Sequence, residues 1–143
     1  MPNRKMLKDL FNVVIYFLKW IKTRDKRNSF YRDRKATDAV AFRKDFCTLR
    51  IGLPRRSGNT TLGLRILRSN PKALFFTNNL HYAKDVKNSL SKGDLRDRVF
   101  SKNSNDYVGM DVSLVIVDIA TFLTERELEK IYSINCDAFI LLG

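Results

Sequence analysis

Two hydrophobic patterns divide this chain. Over residues 6–21, MLKDLFNVVIYFLKWI, apolar side chains recur at helical spacing: Leu7, Leu10, Phe11, Val14, Phe17, Leu18 and Ile21 form one broad face. Lys8, Asn12, Lys19 and Thr23 share a narrow polar stripe, so the spacing predicts an amphipathic helix. From Phe46 onward, short apolar runs alternate with amphipathic ones. FCTLRIGL (46–53), ALFFT (73–77), SLVIVD (113–118) and AFILL (138–142) predict strands. Between them TTLGLRILRS (60–69), HYAKDVKNSL (81–90) and TERELEKIYS (124–133) predict helices, the last opened by a capping box of Thr124 and Glu127.

Strand–helix alternation is the pattern of parallel βαβ units. The expected fold is therefore α/β, a mainly parallel sheet flanked by helices and preceded by the amphipathic N-terminal helix. The expected division is a basic helix and linker over 1–44 and the α/β domain over 45–143. In such sheets ligands bind beyond the carboxyl ends of the strands. The loop after Leu53 and the loop at Asp118 both leave strands at that edge, and both carry chemistry.

Charge changes the picture of the N-terminal part. The chain has 143 residues and a formal net charge of +12. Residues 1–56 hold 16 Lys/Arg against 5 Asp/Glu, and the remainder 11 against 10. Such asymmetry points to a polyanion partner, a nucleic acid or an anionic membrane surface, against the plainer reading of a solvated basic face. It concentrates in KTRDKRNSFYRDRK (22–35), where Lys22, Arg24, Lys26, Arg27, Arg32, Arg34 and Lys35 surround Phe30 and Tyr31. Basic residues interleaved with aromatics suit phosphates and stacked bases, so these seven are the candidate nucleic-acid-binding residues.

Residues 6–21 carry three charges, and a spanning helix needs about 20 mainly apolar residues, so this segment is not expected to cross a membrane. It has two other uses: lying in the plane of a membrane interface, or packing on the domain behind it or on another copy. No secretory cleavage pattern follows it. Cys47 and Cys136 read as buried free thiols of a reducing compartment, and a cytoplasmic setting is expected. His81 has no triad or metal partner in the sequence, and no residue is assigned a catalytic role.

GLPRRSGNTT (52–61) sits between a predicted strand and a predicted helix. A phosphate loop needs inward backbone N–H groups, a glycine for close approach, a lysine on the phosphates and a Ser/Thr hydroxyl on Mg²⁺. Measured against GxxxxGK[ST], Gly58 is the second glycine, Asn59 stands where the lysine belongs, and Thr60 supplies the hydroxyl. The first glycine would be residue 53, which is Leu53; Gly52 comes one residue early. Four apolar residues, Leu114 to Val117, then end in Asp118, the pattern of a strand whose carboxylate holds Mg²⁺ beside a phosphate loop.

This combination resembles the ATPase cores of large terminases, the viral DNA-packaging motors, and their helicase relatives, over roughly residues 45–143. The resemblance implies a P-loop NTPase-like sheet, ATP and Mg²⁺ as cofactors, and a viral protein of the host cytoplasm or virion. It places a nucleotide on Arg55, Arg56, Ser57, Gly58, Asn59, Thr60 and Thr61, with Mg²⁺ on Thr60 and Asp118. Arg55 stands three residues before Gly58, where terminases carry an arginine. FFTNNLHYAKDV (75–86) is similar to the helicase segment that bears on nucleic acid.

The departures from that family are as specific. Asn59 replaces the lysine, and Ile119 follows Asp118 where these ATPases carry a glutamate that polarises water. The chain has no glutamine, hence no glutamine-based adenine motif, and the family's coupling motif would follow Gly143. The leading expectation is a reduced terminase- or helicase-like protein that binds nucleic acid or a viral assembly partner, with weak or no ATP hydrolysis. Three others stand beside it: an active ATPase completed in trans by a neighbouring subunit of a homo-oligomer, a small P-loop kinase, and a membrane-attached structural protein using residues 6–21.

Overall fold

The computed structural model describes residues 3–27, 38–53, 58–90, 95–120 and 123–143, with the side chains of residues 25–27 outside that set. Helices α1 (Arg4–Arg27) and α2 (Ala39–Phe46) precede β1 (Thr48–Ile51). Then follow α3 (Asn59–Ser69), β2 (Ala73–Thr77), α4 (Leu80–Ser89), a 3₁₀ turn at Arg96–Arg98, and β3 (Val99–Ser101). The chain closes with β4 (Leu114–Val117), α5 (Glu125–Tyr132) and β5 (Ala138–Leu142). The strands form one all-parallel sheet in the order β1-β5-β4-β2-β3. Every residue of β2, β4 and β5 is buried, as strands covered on both faces require.

Alternation along the strands splits the core in two. Ala73, Phe75, Leu114, Ile116, Ile140 and Leu142 share one cluster with residues of α1, α3 and α4. Leu74, Phe76, Val115, Val117, Phe139 and Leu141 face α5 and the connection after β3. Gly63 lets α3 lie close on the first face: a Cβ there would stand 2.6 Å from the Phe75 ring and 3.1 Å from Leu142. The α5 capping box forms, with Glu127 N–H donating to Thr124 Oγ1 at 3.2 Å and Thr124 N–H to Glu127 Oε1 at 3.0 Å.

The N-terminal helix belongs to this core. Leu7, Val14 and Ile21, spaced by two turns, are buried in the cluster that holds β5. The face that an in-plane membrane helix would insert is therefore the face that packs on the domain. No helix among the described residues is long and apolar enough to cross a membrane. The division drawn at 44/45 falls inside α2, which the hydrophobic pattern does not predict. That helix starts where Asp38 Oδ1 accepts from Ala41 N–H at 3.1 Å, and it shortens the predicted 46–53 strand to Thr48–Ile51.

Candidate functional site

The loop after β1 and the end of β4 meet at the carboxyl edge of the sheet. They are not on neighbouring strands, as the sequence pattern suggests, because β5 lies between them. Helix α3 closes the gap. It begins directly after Gly58, whose φ of +100° is a left-handed turn that an L side chain would strain. Its first turn brings Thr60 over the sheet, and Thr60 Oγ1 donates to Asp118 Oδ2 at 2.6 Å across 58 residues of chain. Asp118 extends β4, its N–H donating to the Phe76 carbonyl at 2.8 Å. The residue is 2% exposed. Burial pushes its carboxyl above the usual range, and hydrogen bonds from the Thr60 hydroxyl and the Ile119 N–H pull it back.

Asn59, at the position of the absent lysine, turns its amide inward: Nδ2 donates to the Leu53 carbonyl at 3.4 Å, tying the two ends of the loop. Three buried oxygens here have no hydrogen-bond partner among the described residues: Asn59 Oδ1, Thr77 Oγ1 and Asp118 Oδ1. No described residue lies within 4 Å of where a Cβ on Gly52 would stand, so packing among the described residues does not require a glycine there. Ile119 adopts a φ of +57°, rare for a β-branched residue, and strain of this kind gathers at functional sites. Gly143 makes room for it, since a Cβ there would stand 3.3 Å from the Ile119 Cα.

The remaining candidates fall out unevenly. Arg55, Arg56 and Ser57 lie outside the described residues, as do Arg32, Arg34 and Lys35. Thr61 is exposed on α3, and Lys22 is exposed on α1. Lys26 and Arg27 end α1, their side chains outside the described set. Arg24 is a correction, because it is 4% exposed and turned into the fold rather than outward. Its guanidinium donates to the Phe46 carbonyl and, at 3.2 Å, to Cys47 Sγ, with the Trp20 ring centroid 4.8 Å away. It ties α1 to the end of α2.

Neither nearby acidic group takes the place of the absent glutamate. Glu127 is held by its cap and by Lys102 Nζ at 2.7 Å, which keeps its carboxyl below the usual range. Glu125 stands exposed in the first turn of α5. Among the described residues no three His, Cys, Asp or Glu side chains group to hold a metal; the oxygens brought together here are those of the Asp118 carboxylate and the Thr60 hydroxyl. That is a donor set for Mg²⁺, which keeps several waters and takes phosphate oxygens. A groove of about 530 Å³ opens at the opposite, amino edge, lined by Lys72, Tyr107, Asp111 and Cys136 among others. Lys72 and Asp111 pair there at 2.7 Å. Set against family models, curated proteins and solved structures, the chain matches none.

Proposed function

We propose that this chain is a P-loop-type nucleotide-binding protein of the terminase or helicase kind, which holds a nucleotide phosphate at the carboxyl edge and hydrolyses it poorly or not at all. The observation that carries the reading is the Thr60–Asp118 contact. A hydroxyl in the first turn of a helix that follows a glycine turn meets a carboxylate at the end of a buried strand, the pairing that holds Mg²⁺ in such proteins. The N–H groups that open α3 supply the phosphate side. Asp118 Oδ1, buried and without a hydrogen-bond partner among the described residues, leaves acceptor capacity for a cation or its waters. Poor hydrolysis follows from Asn59, which supplies no positive charge, and from Ile119, whose side chain cannot accept from water.

Calorimetry with ATP and ADP, each with and without Mg²⁺, tests this. Binding should depend on Mg²⁺, Asp118→Ala should remove that dependence, and Asn59→Lys should tighten ATP. If both substitutions leave affinity as it was, the loop is only a turn.

The polyanion partner is supported by the outer face of α1. Lys5, Lys8, Lys19 and Lys22 are exposed there, with Tyr16 74% and Trp20 48% exposed beside them. Lysines flanking the exposed Tyr16 ring suit a nucleic-acid strand better than a membrane, whose acyl region would need a continuous apolar face.

A further inference from the structure

One buried polar residue at the carboxyl edge lies in the helicase-like segment 75–86 but outside the phosphate-loop and strand-end carboxylate patterns. Thr77 ends β2, the neighbour of β4. Phe76 pairs with Val117, and Asp118 N–H continues the ladder to the Phe76 carbonyl. Thr77 therefore stands across from Asp118 on a strand about 4.8 Å away. Alternation turns both side chains to the α3 face: Phe75 and Ile116, two residues earlier on each strand, are the side chains that crowd Gly63 of that helix. Thr77 is 1% exposed and Asp118 2%. Thr77 Oγ1 and Asp118 Oδ1 are both buried with no hydrogen-bond partner among the described residues.

Orphaned oxygens inside a protein are rare and unfavourable, so two on facing positions call for a partner from outside the chain, a water or a ligand. Their chemistry narrows which one. The ionised carboxylate only accepts, and the hydroxyl accepts as readily as it donates. A bare phosphate, itself an acceptor, leaves the carboxylate oxygen unsatisfied and repels it. The waters of a hydrated divalent cation are donors in a fixed octahedral array, and they match both oxygens.

We propose that Thr77 is a positioning residue of a divalent-cation site, its hydroxyl accepting from a metal-bound water beside Asp118. The inference rests on reading the Thr60–Asp118 pair as cation-binding, and it adds an oxygen from a strand that the phosphate-loop pattern does not reach. A purely structural threonine makes a different prediction, since replacing an unpartnered hydroxyl by a methyl group should help the fold and leave ions alone.

Mn²⁺ titrations of the full chain followed by electron paramagnetic resonance, with and without ADP, separate the two. Thr77→Val should weaken Mn²⁺ binding about 10-fold, the scale of losing a group that orients a ligand from outside the coordination shell. Thr77→Ser should bind as the parent does, and the cation-free melting temperature of Thr77→Val should equal or exceed the parent's. If that variant melts lower, Thr77→Ala read against Thr77→Ser gives the same contrast. Unchanged affinity in Thr77→Val, or equal loss in the valine and serine variants, overturns the proposal. Loss of Mn²⁺ in Asp118→Asn alone overturns the role of Thr77 but not the site. A parent chain that binds no Mn²⁺ in either condition overturns both.

Discussion

Asp118 is a carboxylate placed where burial opposes its charge. Its folded pKa lies above its unfolded value. Between the two values the folded chain binds the extra proton, so acid favours folding there and the ionised group opposes folding at neutral pH. Asp118→Asn should therefore raise the melting temperature at pH 7. The gain should shrink as pH falls through the raised pKa towards the ordinary carboxylate value near about 4. A lower melting temperature at pH 7 in thermal melts would show that the bonds from Thr60 and Ile119 outweigh burial. Stability given up at one buried group, beside the left-handed Ile119, is what the proposed cation site would require of its carboxylate.

At the scale of elements, α1 has two faces with different work. Its inner face is core, so removing the helix to test polyanion binding would test folding instead. Ile21, 3% exposed, illustrates this: Ile21→Ala should lower stability by about 2–5 kcal/mol in urea melts, the usual range for truncating a buried aliphatic side chain. The outer face is read by charge substitution. Changing Lys5, Lys8, Lys19 and Lys22 together to Gln should leave the melting temperature nearly unchanged. The dependence of polyanion affinity on salt should become shallower, by roughly 0.7–0.9 in log–log slope for each phosphate that the variant no longer neutralises. An unaltered slope would place the polyanion elsewhere on the surface.

For the molecule as a whole, hydrolysis is a property of the assembled edge, where a charge and an ordered water must be present together. The lysine of a phosphate loop supplies a fixed positive charge to the transferring phosphoryl group, and Asn59 offers only an amide already turned to Leu53. Ile119 accepts no hydrogen bond from water through its side chain. Each absence is worth about a factor of 10² or more, on the order of 2.7 kcal/mol. Turnover of the isolated chain should sit near background in a phosphate-release assay. Steady turnover of about 1 s⁻¹, abolished by Asp118→Ala, would reverse that conclusion. Activity that arises only with a partner protein or nucleic acid would mean that the missing groups arrive in trans.

What the sequence determines by itself is what neighbours along the chain decide. The runs at 73–77 and 138–142 become strands with those same bounds, because strands buried on both faces read as nearly continuous apolar runs. The Thr124–Glu127 box opens α5 because both bonds close within one turn. Thr60 and Asp118 are marked by their settings, each at the end of an apolar or glycine-rich run. Their contact, and the strand lying between their elements, come from the fold. Periodicity says which side of an element is apolar but not what will cover it. So the docking of α1, the inward turn of Arg24 and the order β1-β5-β4-β2-β3 were decided only by tertiary packing. The three-residue β3 is too short to show a period. Thr77 lies in the helicase-like segment 75–86, but nothing in that pattern points its hydroxyl at Asp118. Only pairing β2 with β4 sets its hydroxyl across from Asp118, because the partner of a strand is chosen by contacts far apart in the chain.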